Sequence, residues 1–376
     1  MMRKVLVYFC LFFNITFGHD QIVHQYFVIE GYKLLRLTLG YDVPIMKDYV
    51  GDMSIYSIGD GPWQRGLITT GAWREDEENI INIGYEHPTL DHFWDSDRGD
   101  DNENYIRIWL DCFNTPGNIG PYMNAYQKAR IYIHGGGRIL FASGAAFDVE
   151  LGQVILGRFY SYDSLFEFFK TGKCYYEGYI DLAGYVHLFD QRRLVYMDIE
   201  QARERAWEIL GRVCHLLGDM SVPAHAHVDE HANFFKVRVV DCYVIGSGPD
   251  VYEQWIKLNY IYWDAQKVHQ QFGSFLNPYR STNPLHFLMY TTAQIADHFR
   301  SDGPYNADGD DVIGGNPLPE EINYLQSILP YLGPPRNVGE PFDEANLRNI
   351  RDKTFPQVVR ATAGLLYWFA KEAGLL

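Results

Sequence analysis

The stretch "CHLLGDMSVPAHAH", Cys214 to His227, places three imidazoles and a carboxylate within a few turns of chain. His215 and Asp219 stand four residues apart, so on a helix they share one face, about one turn from each other. Pro223 then ends the helix or follows its end closely. His225 and His227 come in a segment expected to be non-helical, able to fold back toward the same place. Imidazole and carboxylate both ligate zinc, at about 2.0–2.2 Å. A shared cation is therefore the chemistry these residue types point to. The competing reading is an ordinary helix end at which a cationic His complements the macrodipole.

The elements around this stretch follow from pattern. "DIEQARERAWEILGRVCHLLGDM" (198–220) reads as a helix with Asp198 as N-cap and Gln201 three residues on. Its stripe of Ala202, Ala206, Ile209, Val213, Leu216 and Met220 would face a core. Val23, Phe27, Leu34 and Leu35 mark an earlier helix with Gly40 as its C-cap. Helical patterns cover 251–270 and 284–300, and 355–373 forms a last amphipathic helix with Pro356 near its first turn. Residues 45–105 read as short helices and loops. The Gly- and aromatic-rich region 135–190 reads as an elaboration between core helices. The expected class is all-α: a single helical domain over 19–376 with loop-rich insertions, one of them around 96–195.

The chain has 376 residues, 47% hydrophobic and 16% aromatic, enough for a sizeable core. Lys and Arg number 32 against 48 Asp and Glu, a balance that repels nucleic-acid phosphates unless bound metal reverses the local field. Arg3 and Lys4, then "VLVYFCLFF" and "ITFG", read as a signal peptide over 1–18, the alternative being an uncleaved interfacial anchor. A cut after Gly18 makes His19 the new terminus and predicts a secreted or periplasmic protein. Cys112, Cys174, Cys214 and Cys242 then remain, compatible with zero, one or two disulfides. Neither an H-E-x-x-H helix, nor a GxxxxGK[ST] loop, nor a GxSxG elbow is present. The acidic stretches 95–101 and 306–315 read as solvated loops, and His134, His187, His269, His286 and His298 as surface or satisfied core residues.

"HLLGDMSVPAH" resembles the H-x-x-x-D-x-x-x-P-x-H signature of the zinc-dependent phospholipase C / P1-type nuclease superfamily, a group of secreted all-α phosphodiesterases with up to three zinc ions. The resemblance covers 19–38, 71–95 and 199–255, and it implies further ligands. The mature N-terminus, here His19, would ligate through its backbone amine and carbonyl together with His24 of "HDQIVHQYF"; the family usually begins with Trp. "GAWREDE" and "DHFWD" match a carboxylate followed by an H-F segment, with Asp76 and His92 as the matching residues and Glu75 and Glu77 beside them. His92, His215 and Asp219 would then hold one zinc. Asp219 would bridge to a second at His19 and His24. A third would take His225, Glu253 and a downstream imidazole. In place of the family's H-x-x-x-[ED] pair this chain has Pro249 before Glu253. His231 is the favoured substitute, with His227 or Asp250 as alternatives.

The resemblance implies a phosphodiesterase in which Asp76 either ligates or orients the attacking water as general base. A phospholipid head group is the first choice of substrate, with transient membrane-surface contact. Single-stranded nucleic acid is the alternative, for which aromatic residues could supply stacking platforms. No protein partner is inferred. A non-enzymatic secreted helical protein stapled by metal is the reading from a different class.

Overall fold

The computed structural model describes residues 21–51, 66–76, 91–110, 115–136, 139–149, 151–228, 236–239, 242–245, 250–302, 309, 313–335 and 342–376. The leader expected over 1–18 lies outside them. At the centre runs the helix expected from its stripe, α6 (Ile199–Asp219). Asp198 caps it, accepting from the backbone N–H groups of Glu200 and Gln201, and all six stripe residues are buried. Around it in chain order lie α1 (Gln21–Leu39), α2 (Met46–Val50), α3 (Leu67–Arg74), α4 (Ala125–His134) and α5 (Leu165–Thr171), then α7 (Pro223–Ala226) to α12. Gly40 closes α1 with φ 81° and an N–H bond to the Arg36 carbonyl.

Two helical expectations need correction. The pattern over 251–270 divides into α8 (Val251–Asn259) and α9 (Ala265–Phe272), because Asp264 caps a new helix by accepting from the Lys267 N–H. The last helix, α12 (Glu344–Glu372), starts well before 355, at the Asp343 cap, so Pro356 is interior instead of near the first turn. A helix interior loses a hydrogen bond at proline, and complete burial of Phe355, Val358 and Val359 around it offsets that loss. The remaining helices are α10 (Pro284–Asp297), close to the expected 284–300, and α11 (Pro319–Leu332).

The class is mostly helical, with two small antiparallel sheets, which corrects the all-α reading. One sheet has the order β2 (Thr115–Tyr122), β1 (Asn104–Leu110), β8 (Cys242–Ile245), β7 (Lys236–Val239); the other runs β3 (Ile139–Asp148), β4 (Gln153–Ser161), β5 (Lys173–Asp181), β6 (Val186–Tyr196). The signal was period two. In β5 the buried Cys174, Tyr176, Gly178 and Ile180 alternate with less buried neighbours, and the tyrosines there favour strand. Within the insertion expected around 96–195, Tyr126, Ala129 and Ile133 of α4 and Leu165, Phe168 and Phe169 of α5 join the main core. Cys174 and Cys214 are buried free thiols.

The stretch 95–101 is not a solvated loop. Asp95 is buried and ion-paired with Arg98 at 2.7 Å. Asp97 accepts from Gln294 of α10. Asp100 bonds His286 Nε2 at 3.0 Å, while His286 Nδ1 meets Glu321 of α11 at 2.6 Å. Two carboxylate acceptors on one imidazole need both of its N–H groups, so His286 is cationic. Burial opposes this, but the bonds to Asp100 and Glu321 outweigh it and lift its pKa to about 9.

α3 and α6 cross with backbones in contact. A Cβ on Gly71 would stand 1.9 Å from the Glu208 carbonyl, and one on Gly211 would stand 2.0 Å from the Ile68 carbonyl. Gly71→Ala should force the helices apart and lower stability by about 2–3 kcal/mol, read from denaturant melts. A raised His pKa stabilises fully below the unfolded value near 6.5 and is lost as pH rises through about 9. Wild type should therefore lose about 1–2 kcal/mol between pH 6.5 and pH 10 that His286→Gln does not lose.

Candidate metal centre

α6 delivers His215 and Asp219 to its buried end, and three further segments bring side chains to them. The His24 ring, from α1, stacks on His215 with centroids 3.5 Å apart. Gly218 makes room for it, since a Cβ there would lie 2.6 Å from His24 Nδ1. The turn after α3 supplies Asp76. The Asp91–Asp95 corner supplies His92. At the end of α6, the N–H groups of Ser221 and Val222 bond the Gly218 and Asp219 carbonyls at 2.9 Å. The chain then enters α7 with Pro223 at its start. His225 thus lies in a short helix and His227 caps it, where a non-helical segment was expected.

The geometry around Asp219 is close. His24 Nε2 lies 3.4 Å from Asp219 Oδ1, and His92 Nδ1 and His215 Nε2 lie 3.2 and 3.3 Å from Asp219 Oδ2. Asp76 Oδ1 is 3.2 Å from His215 Nε2 and 3.5 Å from His92 Nδ1. Two groups of three ligand-type residues have their donor atoms within 4.8 Å of one another: His24–His215–Asp219 and Asp76–His92–His215. All five residues are buried or nearly so. Among the described residues, Asp76 Oδ1, both His92 nitrogens, His215 Nε2 and both Asp219 oxygens have no hydrogen-bond partner.

These separations are informative. A charged N–H···O⁻ bond prefers about 2.7–2.9 Å. Two ligands at about 2.1 Å from one tetrahedral ion stand roughly 3.4 Å apart. The measured 3.2–3.5 Å fits the second arrangement better. The far sides of two rings are also pinned. His215 Nδ1 meets the Ala72 carbonyl at 2.6 Å and His225 Nδ1 meets the His92 carbonyl at 2.8 Å. With Nδ1–H donating, each Nε2 is left for a cation, the tautomer control typical of metal-binding histidines. The residues present therefore suit zinc.

Electrostatics without an ion are strained. Burial pushes the Asp219 carboxyl well above its ordinary pKa, with Asp76 adding to the rise, and burial likewise raises Asp76. Burial, with Lys128 nearby, drives His92 well below the usual imidazole value. Burial would also lower His215, but Asp76 and Asp219 prevail and bring it up to about 9.

Glu75, the neighbour of Asp76, is turned elsewhere. It is fully buried and held by Lys128 Nζ and an Arg212 guanidinium N–H, each at 2.8 Å, and by the Tyr132 hydroxyl. Burial would raise its pKa, but the two cations hold it low. His225 Nε2 lies 3.2 Å from Glu253 Oε1, so the pair expected at a third ion does meet. Glu253 sits in the first turn of α8, whose cap is Asp250. His227 turns the other way, to Asp297 at 3.0 Å and the Phe299 carbonyl at 2.9 Å. His19, His231 and Glu77 lie outside the described residues. Sequence reading passed over Lys128, Arg212 and Asp91. One signal was available: Arg212 stands three residues before His215, and so shares its helix face.

In comparisons with protein-family models, with curated proteins and with solved structures, nothing matches this chain. Among the described residues, no helix is long and apolar enough to cross a membrane.

A carboxyl whose folded pKa is raised stabilises below its unfolded value near 4 and loses that contribution as pH rises through the folded one. In chelator at pH 7, Asp219→Asn should therefore melt higher than wild type, by roughly 1–3 kcal/mol of stability. Added zinc should reverse the order, raising the melting temperature of wild type and leaving the variant behind. Equal melting of the two proteins in chelator would contradict the strain at Asp219.

Proposed function

We propose that this chain is a secreted or periplasmic zinc-dependent phosphodiesterase, with a helical core of the phospholipase C / P1-type nuclease kind. The observation that carries the proposal is the set of buried imidazole and carboxylate atoms at 3.2–3.5 Å, spaced for ligands of a common ion. The H-x-x-x-D-x-x-x-P-x-H element supports it, because three of its residues, His215, Asp219 and His225, lie at this one place.

His24, His92, His215, Asp219 and Asp76 would hold zinc, with His225 and Glu253 offering a further pair and His19 and His231 completing the set that the resemblance implies. Bound zinc would supply Lewis acidity toward phosphoryl oxygens and lower the pKa of water. The protein's own part is positional. The Ala72 and His92 carbonyls orient His215 and His225, and burial excludes bulk water from the ligands. Asp76 is shared between His92 and His215, which favours a ligating role over free service as a base. The formal net charge of −16 disfavours long polyanions, so a phospholipid head group is the proposed substrate.

The test is metal content by elemental analysis together with hydrolysis of bis-nitrophenyl phosphate and a nitrophenyl phosphocholine ester. Wild type should carry zinc and cleave both, and His215→Ala should lose at least about 100-fold in turnover. Cleavage of single-stranded DNA with no turnover of the choline ester would move the substrate to nucleic acid. Zinc-dependent melting with no turnover of any phosphodiester would leave a metal-stapled, non-enzymatic protein.

A further inference from the structure

Behind the centre lies a cation placed between two ligand-bearing segments. Lys128, on α4, has a side chain only 7% exposed, with Nζ 2.8 Å from Glu75 Oε1 and 3.1 Å from Asp91 Oδ2. Both carboxylates are fully buried. Glu75 immediately precedes Asp76, and Asp91 immediately precedes His92. One ammonium group thus ties the two stretches of backbone that deliver Asp76 and His92, which stand 3.5 Å apart on the other side.

Glu75 matters for a second reason. A buried carboxylate next to a ligand is a competitor for the same ion. Here Lys128 and Arg212 both bind it and the Tyr132 hydroxyl reaches both of its oxygens, at 3.2 Å each. Arg212 is itself braced by Glu208 at 3.3 Å. These contacts engage both carboxylate oxygens of Glu75.

We propose that Lys128 is a positioning residue for the metal centre: by bridging Glu75 and Asp91 it sets the spacing of Asp76 and His92 and keeps Glu75 from competing with them. The proposal rests on the zinc reading above, and it concerns how the ligands are held. Partners one shell behind a metal typically contribute 10–100-fold in affinity.

The experiment measures zinc affinity by competition with a fluorescent chelator, alongside melting in EDTA, for full-length wild type and variants. Lys128→Met combined with Asp91→Asn removes the bridge yet leaves Glu75 paired with Arg212. It should melt in EDTA within a few degrees of wild type and bind zinc about 10–100-fold more weakly. Asp91→Asn alone, which keeps Lys128 paired with Glu75, should weaken binding about 10-fold and serves if the double variant does not fold. Lys128→Arg, which keeps a cation at the bridge, should recover most of the affinity. Zinc affinity equal to wild type in either folded bridge variant overturns the proposal and leaves the zinc reading standing. A wild type that takes up no zinc overturns the zinc reading, and this inference with it.

Discussion

Two carboxylates buried against the same imidazole form the constraint on which the rest of the structure turns. Asp76 and Asp219 both approach His215 Nε2, out of contact with water. Like charges in that setting repel strongly unless positive charge lies among them. In the protein alone the conflict shows as upward pKa shifts: burial raises both acids, and the two carboxylates raise His215. A divalent ion would relieve it, because each ligand could then keep the protonation state that suits it. The centre is thus costly to fold empty, and the surrounding packing must supply what the site itself does not.

That packing is built from close approaches. Gly71 and Gly211 let α3 and α6 touch along their backbones, which brings the Ala72 carbonyl to His215 Nδ1. Gly218 admits the His24 ring beneath Asp219. The Phe93 ring stacks on His225 at 4.4 Å, while the preceding residue's carbonyl takes that imidazole's Nδ1–H. Each contact fixes a ring plane or a tautomer, and so decides which nitrogen faces inward. Further out, cationic His286 ties α10 and α11 to the 95–101 segment that continues from the His92 corner.

Much of the candidate site was legible because its residues follow local rules. The His215–Asp219 spacing is a property of any helix, and the Asp198 cap and apolar stripe made that helix clear. Only the resemblance singled out Asp76 from Glu75, since adjacent acids look alike until Lys128, Arg212 and Tyr132 are seen around one of them. His227, an alternative for the missing imidazole beside His225, turns instead to Asp297 and the Phe299 carbonyl. The strands were not legible where tyrosines and glycines dominate, because short aromatic runs carry weak periodicity and read only as a loop-rich elaboration between helices.

From the chain alone came the elements with strong local signals: the capped central helix, the run of ligand-type residues at its end, the acidic balance, and the order of the segments that carry candidate ligands. The tertiary structure decided what depends on partners distant in sequence. It turned Asp76 toward His92 and His215 and Glu75 toward Lys128 and Arg212, brought His24 onto His215 across nearly two hundred residues, and placed Lys128 between two buried acids. Local periodicity reflects nearest neighbours on one element, whereas the direction and charge of a buried ionisable group are set by whichever other elements close around it.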